Sequence, residues 1–394
     1  MFFVGDFFQP FIQELITAID TSESFQKLLL IGHRGCGKTT LLNRIAQDPR
    51  TRYHLVYFSA REVLNMMEVE TVDILLAAYG KVIESMEEDF QKKRLPPQFR
   101  ALIERGKHKF QLDGKLDINA FFFKFTVESE NRAGMRQALW NHMDDPQGKL
   151  PQARAEAREK TGKEVLLIID NLEKPKDGMA RKVFIEDSRL LTLPRAKILF
   201  TMPLPTYYDP GFIGVSDIAY RSVFIPLVAL SDRDGNPLPK NLAEMEQVVS
   251  RRIDERLLDK ATLRSMVLAS GGLLRDLIEF MRMACVRTIV KGRLERRVVI
   301  IDQDIAAQVT RDLVNQYTRM FDFPRYWKAA IHVRETKDKE QVDHEDMSFP
   351  PHNLFALEYG HPNRIWYDLH PCLGRALDST VIIIGNRRGG HVSD

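Results

Sequence analysis

Cysteine is scarce in this 394-residue chain. Cys36, Cys285 and Cys372 are odd in number and far apart. That spacing excludes a disulfide framework and a cysteine-based metal cluster, and leads us to expect a reducing compartment. Long apolar runs are also missing. None approaches the roughly 18 residues of a membrane span, and Met1-Phe2-Phe3-Val4-Gly5-Asp6 lacks the cationic start of a secretory leader. We expect a soluble, cytoplasmic protein with no membrane partner. Charge of one sign is not in excess either: the net +3 rules out a global basic field, so any nucleic-acid surface must be local. The composition is otherwise that of a globular protein, 44% hydrophobic, with length for roughly two or three domains.

The chain is organised around one stretch. Leu28-Leu29-Leu30-Ile31 reads as a short strand buried on both faces. It runs into Gly32-His33-Arg34-Gly35-Cys36-Gly37-Lys38-Thr39-Thr40 and then an apolar helix from Leu41. The glycines let successive N–H groups converge on polyphosphate oxygens. Lys38 is placed to reach the β- and γ-phosphates and the Thr39 hydroxyl to hold Mg²⁺. The helix turns its positive end toward the same anion. Residues 32–40 are therefore the candidate nucleotide-binding set. Cys36, inside the loop, is a candidate for sensitivity to thiol reagents.

A second motif follows 132 residues after Lys38. Val165-Leu166-Leu167-Ile168-Ile169-Asp170 is an apolar strand ending in an acid, the Walker B pattern, with the carboxylate opposite the loop on the metal. Many such ATPases carry the water-activating acid next; here that position is Asn171, and Glu173 is the nearest carboxylate and the candidate base. If Glu173 does not reach the water, the protein is a slow hydrolase or a nucleotide switch. Lys197-Ile198-Leu199-Phe200 is a further strand, ending at Thr201. Thr201 either orients the lytic water or simply opens a turn. Arg189, Arg195 and Arg221 are candidate arginine fingers in an assembly, but each taken alone reads first as a surface ion-pair residue. The guanine-reading Asn-Lys-x-Asp motif is absent, which favours ATP over GTP.

Around these motifs the chain divides into stretches of different period. Phe7, Phe8, Phe11, Ile12, Leu15, Ile16 and Ile19 form an apolar stripe on a helix over 6–20. Residues 53–59 and 222–227 complete a set of five strands. Residues 62–160 read as a helical insertion, in which Asn119 to Glu128 is partly extended. Within it, 92–115 holds eight lysines and arginines against Glu104 and Asp113. That block is either a nucleic-acid surface or a solvated face, and the solvated face is favoured for want of interleaved aromatics.

Asp232-Arg233-Asp234-Gly235-Asn236-Pro237 is a strong turn and the first domain boundary. Beyond it the strands stop and helical spacing takes over, with Ser270-Gly271-Gly272 ending one helix and Arg275 near the start of the next. A separate amphipathic helix is expected over 313–321, and a β-hairpin over 353–370. His352, His361 and His370 lack metal-ligand spacing. The Arg387-Arg388-Gly389-Gly390 tail reads as disordered.

With a phosphate loop, a Walker B strand, a Thr-ended strand and a helical bundle carrying Gly-Gly-x-x-Arg in that order, the chain resembles the AAA+ ATPases. It looks most similar to the initiator/origin-recognition branch and the related STAND signalling ATPases. The resemblance covers about residues 3–310, from Phe3-Val4-Gly5, with Asp6 where an arginine is common. It implies an α/β fold: a P-loop NTPase parallel sheet with helices on both faces and the loop strand central. A helical lid and a small winged-helix-like C-terminal domain would follow. It also implies that Thr201 is the sensor-1 residue and Arg275 the sensor-2 arginine that touches the γ-phosphate. The expected division is an ATPase core over 1–231, a lid over 232–312 and the C-terminal domain over 313–394.

Two functions remain in view. The first is an Mg²⁺-dependent ATP hydrolase, slow or switch-like, whose ATP state controls homo-oligomer assembly and recruits a separate effector protein, as in bacterial antiviral defence. The second is a DNA-binding motor or loader of the initiator type. Their catalytic set is the same: Lys38, Asp170, Glu173, Thr201 and Arg275, with Thr39 and Asp170 on the metal.

Overall fold

The computed structural model describes residues 7–22, 25–46, 52–64, 69–85, 158–159, 162–172, 178–192, 194, 196–321, 323–338, 355–360 and 364–378. The basic block over 92–115, the extended segment over 119–128, Phe3-Val4-Gly5, Glu173, Arg195, His352, His361 and the tail lie outside them. The chain forms two compact units. One holds Ile12–Ile31 and Lys38–Val223; the other holds Met1–Phe11, Gly32–Gly37 and Phe224–Asp394.

The first unit carries a five-stranded parallel sheet flanked by helices, in the order β2-β3-β4-β1-β5. The strands are β1 (Lys27–Gly32), β2 (Tyr53–Ser59), β3 (Glu164–Asp170), β4 (Lys197–Pro203) and β5 (Tyr220–Phe224). Every residue of β1 and β4 is buried, as continuous aliphatic runs in a parallel sheet require. The edge strand β2 is only half-buried over most of its length. Among the described residues the helices of this unit are α1 (Gln9–Thr21), α2 (Lys38–Ala46), α3 (Thr71–Ser85) and α4 (Pro210–Ala219), with several one-turn pieces.

Two details depart from expectation. The loop strand β1 lies between β4 and β5, and β4 takes the centre of the sheet. The last strand ends at Phe224 instead of Leu227, because Pro226 has no N–H for a ladder.

Two lysines are built into this core. Lys27 Nζ donates to the carbonyls of Phe25, Pro194 and Ala196, and Lys197 Nζ donates to those of Ile19 and Ser22 and to the Tyr53 hydroxyl. Each buried ammonium is paired with carbonyls at the sheet's border, as a buried charge requires.

The second unit is mainly helical: α5 (Pro239–Ser250), α6 (Lys260–Ala269), α7 (Leu274–Glu295), α8 (Gln303–Met320) and α9 (Phe323–Thr336). Asp259 and Asp302 cap α6 and α8, their carboxylates accepting the first free N–H groups. Asp232 organises the turn before α5, accepting from the N–H groups of Asp234 and Asn236. The separate helix expected over 313–321 is the second half of α8. No glycine or proline interrupts that helix, so a boundary at 312 falls inside it. Strands β6 (Ala356–Tyr359) and β7 (Trp366–Leu369) pair antiparallel as the expected hairpin, with Tyr359 and Trp366 stacked at 4.5 Å. A helical run over 371–378 follows. Helix α9 packs against strand β7 of the hairpin.

The glycine pair after α6 is needed by sterics. Gly271 and Gly272 have φ of 59° and 80°, and a Cβ on Gly272 would lie 2.0 Å from the Val228 carbonyl oxygen.

Candidate functional site

In the sheet unit, the parallel pairing of β2 with β3 sets Ser59 level with Asp170 at the strands' carboxyl ends. One step beyond the last paired residues of β3 and β4, Ile169 and Phe200, stand Asp170 and Thr201. Sheet register thus brings three polar side chains to one edge of an otherwise aliphatic layer. Open parallel sheets bind ligands at that end of their strands.

Asp170 is fully buried, and its carboxylate is held from three sides. Oδ2 accepts from the Thr39 hydroxyl at 2.6 Å and the Tyr57 hydroxyl at 3.0 Å, and Oδ1 accepts from the Asn171 N–H at 2.7 Å. Thr39 and Lys38 open α2, and the Lys38 side chain is buried with them. The Thr201 hydroxyl is wholly buried and has no hydrogen-bond partner among the described residues. An orphaned donor in that position costs stability unless a bound oxygen satisfies it.

Asn171 stands where a water-activating acid is common. Its backbone is left-handed, with φ 65°, and its side-chain amide donates to Ser59 Oγ at 3.0 Å. Asparagine tolerates that conformation better than most residues, and the amide is spent on the neighbouring strand.

The donor set suits Mg²⁺. Hard oxygen ligands are present as one carboxylate and one hydroxyl, and among the described residues no group of three or more His, Cys, Asp or Glu side chains is placed to hold a metal ion. Mg²⁺ takes one or two protein oxygens and draws the rest of its shell from phosphates and water. Thr39 and Asp170 fit that pattern.

The second unit holds the loop glycines. Gly35 and Gly37 have φ of 90° and 111°, conformations that let the loop curl. A Cβ on Gly32 would stand 2.6 Å from the Ile225 carbonyl oxygen, so this strand end also needs glycine. Cys36 is 2% exposed, a position that shields its thiol from reagents.

Arg275, at the start of α7, meets this loop directly. Its N–H donates to the Gly35 carbonyl at 3.2 Å, and a Cβ on Gly35 would touch the Arg275 side chain at 2.8 Å. The loop's second residue is turned elsewhere: His33 Nε2 accepts from the Glu358 N–H on β6 at 2.8 Å. The sequence motif placed His33 among the nucleotide ligands. The structure engages its imidazole with the hairpin.

Tyr57 and Ser59, which hydrogen-bond Asp170 and Asn171, carried no motif. Tyr57 and Ser59 could have been found from one signal, polar residues breaking the apolar run at the end of a strand. Of the candidate fingers, Arg189 is exposed and Arg221 donates to Thr21 Oγ1 at 2.9 Å. Among the described residues no helix is long and apolar enough to cross a membrane.

No family profile matches the sequence, and neither does any curated protein. Solved structures similar to this chain include Cdc6p from Pyrobaculum aerophilum, with a TM-score of 0.39 and 10% identity over 95% of this chain and 94% of that one. Another is the RuvB Holliday junction branch migration motor of Thermotoga maritima, with a TM-score of 0.38 and 12% identity over 91% of each chain.

Proposed function

We propose that this chain, with its AAA+-like P-loop fold, is an Mg²⁺-dependent ATP hydrolase that works chiefly as a nucleotide switch. The observation that carries the reading is the hydrogen bond between Thr39 and Asp170 at the end of the sheet. A hydroxyl on the first turn after a glycine loop and a strand-end acid meet for no evident packing reason, and together they suit a magnesium ion on a polyphosphate. When bound, the ion supplies positive charge against the phosphate oxygens.

The chain's own residues take the remaining tasks. Lys38 and the loop amides bind phosphate oxygens, and the buried Thr201 hydroxyl is the donor left for the attacking water or terminal phosphate. Arg275, seated on Gly35, reads that phosphate. Asn171 cannot accept a proton from water, and its amide is already tied to Ser59; these two facts favour slow turnover. Glu173, the nearest carboxylate in sequence, keeps its place as candidate base. A slow hydrolase dwells in its ATP form, and such a dwell suits assembly into a homo-oligomer and recruitment of a separate effector protein.

The test is ATP turnover by the purified chain, with Lys38→Ala as the blank, with and without magnesium and double-stranded DNA. The expected result is slow, magnesium-dependent hydrolysis indifferent to DNA, with self-association that follows ATP. Turnover stimulated by DNA and weakened by added salt replaces this reading with the initiator-type motor.

A further inference from the structure

The side chain next to Arg275 has no part in the reading above, yet it is a buried carboxylate with three side chains around it. Asp276 lies in the first turn of α7 and is 7% exposed. Its Oδ1 accepts from Arg275 Nε at 3.1 Å, and its Oδ2 accepts from the Tyr317 hydroxyl of α8 at 2.8 Å. His370, wholly buried at the end of β7, brings Nε2 to 3.2 Å from Oδ2, within ion-pair distance though short of hydrogen-bond geometry. His370 Nδ1 accepts from the Cys372 N–H, which assigns a neutral ring's proton to Nε2, the nitrogen beside the carboxylate. The Tyr317 and His370 rings stack at 4.3 Å and lock both partners. Burial pushes the Asp276 carboxyl upward, but the His370 imidazole, Arg275 and the Tyr317 hydroxyl outweigh it and hold it below its ordinary value.

Adjacent residues on a helix point in different directions, so Arg275 and Asp276 meet only because the arginine folds sideways. The contact uses Nε alone. The two terminal nitrogens of Arg275 make no hydrogen bond among the described residues, and its side chain is 42% exposed. Nε itself lies 3.3 Å from where a Cβ on Gly35 would stand. The guanidinium is therefore oriented over the phosphate loop with its fork open, the geometry for bidentate capture of phosphate oxygens.

We propose that Asp276 is a positioning residue for Arg275, and that Tyr317 and His370 hold its carboxylate so that the arginine's terminal nitrogens are presented to a terminal phosphate. This rests on the nucleotide reading above. It also ties the hairpin, through His370, to the group that distinguishes ATP from ADP.

The experiment compares Mg²⁺-ATP and Mg²⁺-ADP affinities of the full chain with those of Arg275→Ala, Asp276→Asn, Tyr317→Phe and the Arg275→Ala/Asp276→Asn double variant. Melting temperatures are measured beside them. Wild type is expected to prefer ATP, and Arg275→Ala and Asp276→Asn are each expected to cut that preference by roughly tenfold. The double variant should lose no more than either alone, since the two act as one unit. Tyr317→Phe, which keeps the ring stack, should lose part of the preference and serves as the test if Asp276→Asn does not fold. A variant at 276 that melts earlier but keeps the wild-type ratio overturns the proposal, as does an additive double variant. Asp276→Asn that binds ATP more tightly also overturns it, by making Asp276 a competitor for the arginine. Wild type without ATP preference removes Arg275's role and this proposal with it. Binding that Lys38→Ala does not weaken sinks the nucleotide reading itself.

Discussion

Thr39 Oγ1 and Asp170 Oδ2 stand 2.6 Å apart although 131 residues separate them in sequence. Asp170→Asn keeps the shape but loses the charge for a cation, and Thr39→Ala removes the hydroxyl. Each should lower magnesium-dependent ATP affinity by roughly 10- to 100-fold, while Thr39→Ser keeps most of it. Titration of magnesium at fixed ATP reads the effect, and unchanged magnesium dependence in Asp170→Asn would contradict the assignment.

Gly272 and Gly235 offer a matched pair. Both have positive φ, 80° and 88°, but only Gly272 faces backbone: its Cβ would meet the Val228 oxygen, whereas nothing lies within 4 Å of Gly235. Gly235→Ala should cost about 1 kcal/mol, the left-handed backbone alone. Gly272→Ala should cost more than about 2 kcal/mol, since the chain must move as well. Denaturant midpoints at equal slope decide between them.

Asp259 caps α6 by accepting from the N–H groups of Ala261 and Thr262 and from the Thr262 hydroxyl. The Thr262 hydroxyl, followed by these N–H groups, holds its carboxyl below the usual value. The folded value being the lower one, the cap's contribution is complete above about pH 4 and is lost as pH falls through the depressed value. Asp259→Ala should cost about 1 kcal/mol at neutral pH and have a smaller effect in strong acid. An equal cost at both ends of that range would refute the cap as the source.

His33 accepts the Glu358 N–H, so Glu358's amide should be protected from hydrogen exchange as long as the imidazole stays in place. His33→Ala is expected to speed exchange at residues 357–359 before it affects the α5–α8 bundle. Protection at Glu358 that survives the substitution would show that β6 is held there by its other contacts alone.

The sequence determined what local chemistry can determine. Continuous apolar runs announced β1, β3 and β4, because a strand buried on both faces needs no alternation, while the half-buried edge strands β2 and β5 were read from aromatic and β-branched residues. The glycine loop, the strand-ending Asp170 and the Gly271-Gly272 pair were legible because each answers a constraint within a few residues: a tight backbone, a charge at a strand end, a positive φ. Tertiary structure decided the rest. Strand order placed β4 at the centre of the sheet, and pairing register alone put Tyr57 and Ser59 beside Asp170 and Asn171. Asp276 and His370 lie 94 residues apart and share no pattern; only the packing of α7 against α8 and the hairpin makes them neighbours. Periodicity reports which face of an element is buried. It does not report which partner lies across the buried face, and in this protein that partner sets how Arg275 is presented.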